Sequence, residues 1–178
     1  MKKLTLLFGL VSSVVAFAQV NWMTMNQALE SQKKKPKKIL VDFYADWCGP
    51  CKLMEKNTYN HPQVAKFIND NYYAVKFNAE GTESVTFQNK EYKNPDYNPK
   101  SKGRNAQHHL ARYMNITAYP TVVFIDENTQ PITSLMGYFK PKELDPYISM
   151  IANDDYKNIK TREEWEAYQS KFKSKIKE

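Results

Sequence analysis

Residues 41–52 read VDFYADWCGPCK and contain both cysteines of the 178-residue chain, Cys48 and Cys51. The run before them is apolar and of strand length, and a segment of helical composition with Pro50 near its start follows. Two cysteines are too few for a disulfide scaffold, and their close spacing indicates a reactive site. The segment therefore predicts a strand that leads to a pair of thiols at the start of a helix.

The chemistry expected of this pair is reversible thiol–disulfide exchange. Side chains three residues apart share a helix face, and the first helical turn can adjust to bring the two sulfurs to bonding distance. Unpaired N–H groups at a helix N-terminus lower the pKa of a thiol, which favours Cys48 as the nucleophile. Cys51 lies one turn inside the helix, so we predict it to be the more buried sulfur and the resolving thiol.

An aspartate is unusual in the middle of an apolar strand, and Asp42 occupies such a position. Burial there is expected to raise its carboxyl pKa enough for it to accept a proton from Cys51. We therefore assign Asp42 as the proton acceptor, directly or through water. The alternative is a buried carboxylate with a structural role only.

A zinc site is the competing interpretation of the cysteine pair, because C-x-x-C is also half of a common zinc motif. The chain has no second C-x-x-C, and its other nitrogen ligands are His61, His108 and His109. We therefore predict no metal, and no cofactor beyond the redox-active disulfide itself. The adjacent histidines are expected to be solvated or to cap a helix.

Strand-like and helix-like segments alternate along the rest of the chain. A capping box at residues 24–27 predicts a helix over residues 25–34, and another at residues 161–164 predicts a C-terminal helix. Further strands are predicted at residues 37–44, 72–78, 121–126 and 132–136, and further helices after His61, around Leu110 and from Pro141.

Two segments lie outside this alternation. Residues 80–107 are polar and rich in Gly, Pro and Asn apart from a small hairpin, so we interpret about 81–106 as a surface insertion. Residues 154–178 are expected to form a helical extension packed on the domain of residues 19–153, with a partner-binding helix as the alternative. The apolar stripe of this extension comprises Trp165, Tyr168, Phe172 and Ile176.

Taken together, these landmarks resemble the thioredoxin family. Residues 41–52 are similar to its active-site strand and helix almost letter for letter. Lys76 matches a lysine near the buried aspartate, Tyr119 and Pro120 resemble the cis-proline loop, and Gly137 resembles the glycine after the last strand.

The resemblance covers residues from about 22 to 152 and implies an α/β thioredoxin fold, with a central mixed sheet of four or five strands flanked by helices. It also implies a cis Pro120 that faces the two sulfurs, beside backbone that pairs with an extended client segment. Trp47, Gly49 and Pro50 would shape the surface around the nucleophile. Three features depart from the family pattern: the N-terminal segment, the insertion before the cis-proline loop and the C-terminal helix.

The N-terminal segment is typical of a secretory signal peptide. Lys2 and Lys3 precede an apolar run of about fourteen residues, and Ala16-Phe17-Ala18 fits a cleavage site. The run is shorter than the roughly twenty residues that span a bilayer. We expect cleavage after Ala18 and no stable membrane insertion afterwards; an uncleaved anchor is the alternative.

These observations predict a periplasmic thiol:disulfide oxidoreductase that reduces or exchanges disulfides of exported proteins, as a monomer by default. Among thioredoxin-like proteins, the chain more closely resembles exported ones of Gram-negative bacteria, including the soluble domain of transmembrane thiol-electron transporters. Such a transporter is a candidate reductant. The Gly49-Pro50 pair resembles the reducing end of the family; the alternatives are a disulfide-forming oxidant and a non-catalytic redox-sensing or client-binding module.

Composition and charge exclude other classes. Apolar residues are 42% of the chain and aromatic residues 13%, which argues against general disorder. Lys and Arg number 26 against 19 Asp and Glu, with clusters at residues 33–38 and 100–104. Because no nucleic-acid motif accompanies these clusters, we interpret them as solvated surface that can steer acidic clients, and we predict no nucleic-acid partner.

Overall fold

The structure is a computed structural model that describes residues 19–177. The predicted signal peptide, residues 1–18 with cleavage after Ala18, lies outside the described residues. The strands of the described part are β1 (Trp22–Met23), β2 (Ile39–Tyr44), β3 (Tyr73–Asn78), β4 (Val85–Phe87), β5 (Lys90–Tyr92), β6 (Thr121–Ile125) and β7 (Pro131–Met136). Its α-helices are α1 (Met25–Lys34), α2 (Gly49–Met54), α3 (Pro62–Asn71), α4 (His109–Tyr113), α5 (Pro141–Ala152) and α6 (Arg162–Lys171).

Five of these strands form one mixed sheet in the order β1-β3-β2-β6-β7. β3 runs parallel to both β1 and β2, whereas β6 runs antiparallel to β2 and β7. This arrangement confirms the predicted fold class. The sequence analysis missed β1, because a two-residue strand is too short to show any periodicity.

Side chains of the central strand β2 alternate between two buried clusters. Val41 and Phe43 pack with residues of α1 on one face of the sheet. Leu40 packs on the other face, with residues of α3 and α5. A sheet covered on both faces explains why β2 is a nearly continuous apolar run, since each fully buried large side chain contributes about 1.5–3 kcal/mol. Asp42 is the exception and lies on the same face as Leu40.

Both predicted capping boxes are present. The Thr24 hydroxyl accepts a hydrogen bond from the Gln27 N–H at 3.2 Å, and the Gln27 side chain accepts one from the Thr24 N–H at 2.9 Å. Thr161 and Glu164 make the same reciprocal pair at the start of α6. Each box satisfies two backbone donors that the helix itself leaves free, which explains why these helix starts could be placed from sequence.

The insertion is more than a surface feature. The predicted hairpin is β4 and β5, and its turn residues Gln88 and Asn89 adopt left-handed conformations with φ of 48° and 62°. However, Val85, Phe87 and Tyr92 are buried in the same cluster as β2. The interpretation of 81–106 as purely surface is wrong for this hairpin, because three-residue strands carry too little alternation to show their buried face.

The expected C-terminal helix is present but shorter than its apolar stripe. The Trp165 ring packs on the Tyr147 ring of α5 with centroids 4.7 Å apart. The helix ends at Lys171, so Phe172 and Ile176 do not lie on it. Ile176 is buried instead through an extended tail, where the Gln63 side chain contacts the backbone of residues 175 and 177. Local helical periodicity could not show this tail, because its partners lie on α3 and α5.

Candidate active site

Cys48 and Cys51 form a disulfide at the start of α2, with Cα atoms 5.4 Å apart. Cys48 is the N-cap residue, and its sulfur accepts a hydrogen bond from the Cys51 N–H at 3.1 Å. Pro50 lies in the first turn, where its missing N–H leaves no intrahelical bond unmade. A donor aimed at the Cys48 sulfur, together with the positive end of the helix dipole, stabilises negative charge there once the disulfide opens.

Both cysteines are covered in the disulfide form. Cys48 is 2% exposed and Cys51 is 4% exposed, with Tyr44 and Tyr119 packed against them. The predicted difference, in which Cys51 is the more buried, is therefore absent from this state. Tyr44 lies at the end of β2, and Tyr119 lies in the loop before β6. The geometry of α2 alone could not predict that these two rings cover the sulfurs.

Asp42 is 1% exposed and forms an ion pair with Lys76, whose Nζ lies 2.9 Å from Oδ2. The two residues are direct neighbours in the register of β2 and β3. Burial raises the pKa of the Asp42 carboxyl, and the Lys76 charge only partly opposes that rise. A carboxylate with a raised pKa inside the protein has the property that proton acceptance at neutral pH requires.

Lys76 is held by a second carboxylate and by three aromatic rings. Its ammonium contacts Glu55 and lies 5.0–5.5 Å from the ring centroids of Trp22, Tyr44 and Tyr59. Burial lowers the pKa of Lys76, but attraction to Asp42 and Glu55 outweighs burial and raises it overall. Lys76 therefore stays charged, and the ring faces supply further favourable electrostatics.

A cavity of about 440 Å³, open to solvent, lies beside Cys51. Its lining includes Cys51, Tyr44, Glu55 and Lys76. The cavity exposes Lys76, the ion-pair partner of Asp42, to solvent, so water there can reach the edge of the ion pair.

A different set of residues surrounds Trp47, which is 39% exposed. Its indole Nε1 donates a hydrogen bond to Glu80 Oε2 at 2.9 Å, and its ring meets the Tyr119 ring at a centroid distance of 5.8 Å. The Tyr119–Pro120 peptide bond is cis. The Pro120 carbonyl accepts a hydrogen bond from the Gly137 N–H at 2.8 Å. Trp47, the cis-proline loop and the disulfide thus share one region of the surface.

Gly49 and Pro50 are exposed between the cysteines. A Cβ built on Gly49 would have no neighbour within 4 Å, so no steric contact inside the protein requires glycine there. The position is open toward solvent, where a client would approach. Its role in shaping that approach stays a prediction.

Sequence reasoning missed Glu55, Trp22, Tyr59 and Glu80. Glu55 carries a usable signal, because it follows Cys51 by four residues and so shares its helix face. The others reach the site only through folding: Trp22 lies on the two-residue strand, and Glu80 follows β3.

The histidine pair behaves as expected for capping. His108 is the N-cap of α4, and its Nδ1 accepts a hydrogen bond from the Leu110 N–H at 3.0 Å. Burial lowers the pKa of His108, which keeps the ring neutral for this role. Within residues 19–177, no three His, Cys, Asp or Glu side chains are grouped as metal ligands. In the same range, no helix has the length and apolar character needed to cross a membrane.

Comparison with known sequences gives one family and several relatives. The sequence model of a family described as a thioredoxin-like domain matches residues 25–152. Thiol:disulfide interchange protein DsbD from Citrobacter koseri is 35% identical over 103 residues, which is 57% of this chain and 14% of that protein. DsbD from Escherichia coli K12 is 30% identical over 107 residues, or 60% of this chain and again 14% of the relative. The match thus spans about one seventh of these longer proteins.

Comparison with solved structures shows the same fold. A thioredoxin-fold protein from Helicobacter pylori superposes with a TM-score of 0.59 at 19% identity, covering 76% of this chain and 81% of the other. The DsbH oxidoreductase superposes with a TM-score of 0.52 at 18% identity, covering 84% of this chain and 92% of the other.

Proposed function

Because the chain belongs to the family of thioredoxin-like domains, we propose that it reduces or exchanges disulfides of exported proteins through the Cys48–Cys51 pair. The family and the disulfide make it a thioredoxin-like oxidoreductase in general terms. The observation that carries the finer proposal is the Cys48 sulfur at a helix N-cap, covalently paired with Cys51 next to a cavity that leads to buried charges.

The reaction starts from the reduced pair. The Cys48 thiolate attacks one sulfur of a client disulfide, and the other client sulfur leaves as a thiolate that takes a proton from water. A mixed disulfide between Cys48 and the client results. The backbone N–H of Cys51, which contacts the Cys48 sulfur in the disulfide form, favours the attacking thiolate.

Resolution uses the interior side of the site. Asp42 takes the proton of the Cys51 thiol, directly or through water in the cavity, and the Cys51 sulfur attacks Cys48. The Cys48–client bond breaks, the second client thiolate leaves, and the Cys48–Cys51 disulfide forms. Two electrons have moved from the chain to the client. Lys76 holds Asp42 in place and balances its charge when the carboxyl loses the proton again.

Export to the periplasm and the electron donor belong to the same proposal. Export follows from the leader-like residues 1–18. A transmembrane thiol-electron transporter is the proposed source of electrons, because relatives over this region are named thiol:disulfide interchange proteins. The Tyr119–Pro120 loop is the proposed binding place for an extended client segment.

Trapping tests the exchange chemistry. The Cys51→Ser variant, expressed as the full chain in a Gram-negative host, is expected to accumulate mixed disulfides with periplasmic proteins that dithiothreitol releases. The Cys48→Ser/Cys51→Ser double variant is the matched control and should trap nothing. Absence of adducts with the single variant, together with no insulin reduction by the wild type, contradicts the proposal.

The equilibrium reduction potential tests the direction of electron flow. We expect a reduction potential of about −270 mV for the Cys48–Cys51 pair in a dithiothreitol or glutathione buffer, as for reducing members of the fold. A value above about −150 mV would instead identify a disulfide-forming oxidant.

A further inference from the structure

Part of the insertion lies directly against the active-site tryptophan. We call residues 94–106 the basic loop, because they contain three cationic side chains and one carboxylate, Asp96. The guanidinium of Arg104 lies 4.4 Å from the centroid of the Trp47 ring. This contact places a positive charge beside the residue that immediately precedes Cys48.

Hydrogen bonds hold the basic loop in this position. The buried Asn94 side chain donates to the carbonyl oxygens of Gly81 at 3.0 Å and Ala106 at 2.7 Å, which ties the two ends of the loop together. Inside the loop, Asn98 and Asn105 exchange backbone and side-chain hydrogen bonds at 2.8 Å. Arg104 therefore sits on a braced segment, so its contact with Trp47 needs little further ordering.

Glu80 joins the basic loop to the active site. Its Oε2 accepts hydrogen bonds from Trp47 Nε1 at 2.9 Å and from the Asn105 N–H at 2.7 Å. Both donors neutralise part of the Glu80 charge, and no ion pair links this carboxylate to Arg104. Glu80 is thus engaged by Trp47 and Asn105, and the guanidinium of Arg104 remains available.

The cations of the basic loop are exposed and unpaired. Lys100, Lys102 and Arg104 form no ion pair with any residue in the described range 19–177. Exposed cations beside a cleft attract anionic segments and speed their arrival, and a guanidinium binds a carboxylate through two parallel hydrogen bonds. The ring of Trp47 holds the planar guanidinium in place for such a contact.

We propose that the basic loop is a specificity element which selects client segments carrying Asp or Glu within a few residues of the reacting cysteine, with Arg104 as the main contact. This inference rests on the proposed exchange function. It assigns a purpose to the insertion: a client that reaches Cys48 past Trp47 places its flanking side chains next to Arg104, Lys100 and Lys102.

The test uses the pre-reduced chain, residues 19–178, and peptides with one internal disulfide that differ only in whether Asp, Asn or Lys flanks one cysteine. Second-order rate constants are measured in single-turnover reactions at low salt. We expect the Asp peptide to react roughly tenfold faster than the Lys peptide, and this ratio to shrink at high salt. Arg104→Gln should reduce the ratio to about threefold, and Lys100→Gln/Lys102→Gln/Arg104→Gln should bring it near one.

The matched control removes the same number of charges elsewhere. Lys33, Lys34 and Lys35 are exposed, and their triple change to Gln should leave the Asp-to-Lys ratio within about twofold of the wild type. Rates with the neutral 2-hydroxyethyl disulfide report the basal reactivity of Cys48 in each variant, so a change shared by all substrates is distinguished from a change in the Asp-to-Lys ratio.

Three outcomes overturn the inference in distinguishable ways. Equal rates with Asp and Lys peptides, alongside normal reaction with 2-hydroxyethyl disulfide, reject the specificity element and leave the exchange function standing. An equal loss of preference in the control triple variant assigns the effect to net charge and rejects the local contact. No reaction with any disulfide rejects both the inference and the proposed function.

Discussion

The disulfide has two sides with opposite character. On the outer side, Trp47 is exposed and Arg104 lies over it, so the charge next to Cys48 is hydrated. On the inner side, Cys51 borders a cavity lined by Lys76, which forms an ion pair with the buried Asp42. Hydrated charges act weakly and over a distance, which suits recognition, whereas buried charges act strongly at short range, which suits proton transfer.

The largest expected effect is the loss of the attacking sulfur. Cys48→Ser should lower insulin reduction to the uncatalysed rate, because Cys51 lies inside α2 and lacks the N-cap position and the N–H donor that favour the Cys48 thiolate. Circular dichroism should show an unchanged fold. Substantial activity in this variant would show that Cys51 can replace Cys48 as the nucleophile, which would contradict the difference between the outer and inner sides of the disulfide.

The next largest effect belongs to the inner carboxylate. Asp42→Asn should slow resolution of the mixed disulfide about 100-fold at neutral pH, while the first attack by Cys48 changes much less. Stopped-flow kinetics with a peptide disulfide separates the two steps. The matched control, Asp70→Asn on the exposed face of α3, should have no effect. Equal slowing of both steps would mean that Asp42 acts on Cys48 as well.

Asp42 should also affect how the free energy of unfolding depends on pH. Because burial raises its pKa in the folded state, the protonated carboxyl favours the fold at low pH, and that contribution is lost as pH rises through the raised pKa. Asn cannot titrate, so the stability of Asp42→Asn relative to wild type should increase as the pH rises above about 4. Urea unfolding at several pH values measures this, and a pH-independent difference would contradict a raised pKa.

The smallest effect concerns Glu55, which links the inner side to solvent. Its negative charge contributes to the raised pKa of Asp42, so Glu55→Gln should lower that pKa and shift the acid limb of the pH–rate profile for resolution to lower pH. The rate at neutral pH should fall only about threefold. The control Glu30→Gln, on the exposed face of α1, should leave the profile unchanged; a shift toward higher pH would refute the role given to Glu55.

Local signals in the sequence account for much of the framework. The cysteine pair, the helix that starts at it and both capping boxes follow from contacts within a few residues, and the structure contains them as predicted. Asp42 could be identified from sequence because burying a carboxylate in an apolar strand costs free energy, which indicates a functional or structural role. Lys76 came only from resemblance, since nothing in residues 73–78 alone marks it as a partner of Asp42.

Predictions failed where contacts join distant parts of the chain. The sequence predicts that the β4–β5 hairpin lies on the surface. In the structure, Phe87 and Tyr92 are buried because they pack with residues of α1 and α4 in one hydrophobic cluster. The spacing of the apolar stripe places Ile176 on a helix, yet Ile176 is buried in an extended tail that contacts α3. In each case the segment is short, and its burial depends on surfaces that no local pattern describes.

Residues 41–52 were enough to indicate the family, the cysteine pair and the buried acid, because helix caps, strand periodicity and thiol chemistry are properties of neighbouring residues. The surroundings of the two sulfurs depend on folding. Glu55 and Trp22 meet Lys76 across 21 and 54 positions of sequence, and Arg104 meets Trp47 across 57, only because the sheet and the braced loop bring them together. Burial and electrostatic coupling depend on distance in space, and that distance exists only once the chain has packed.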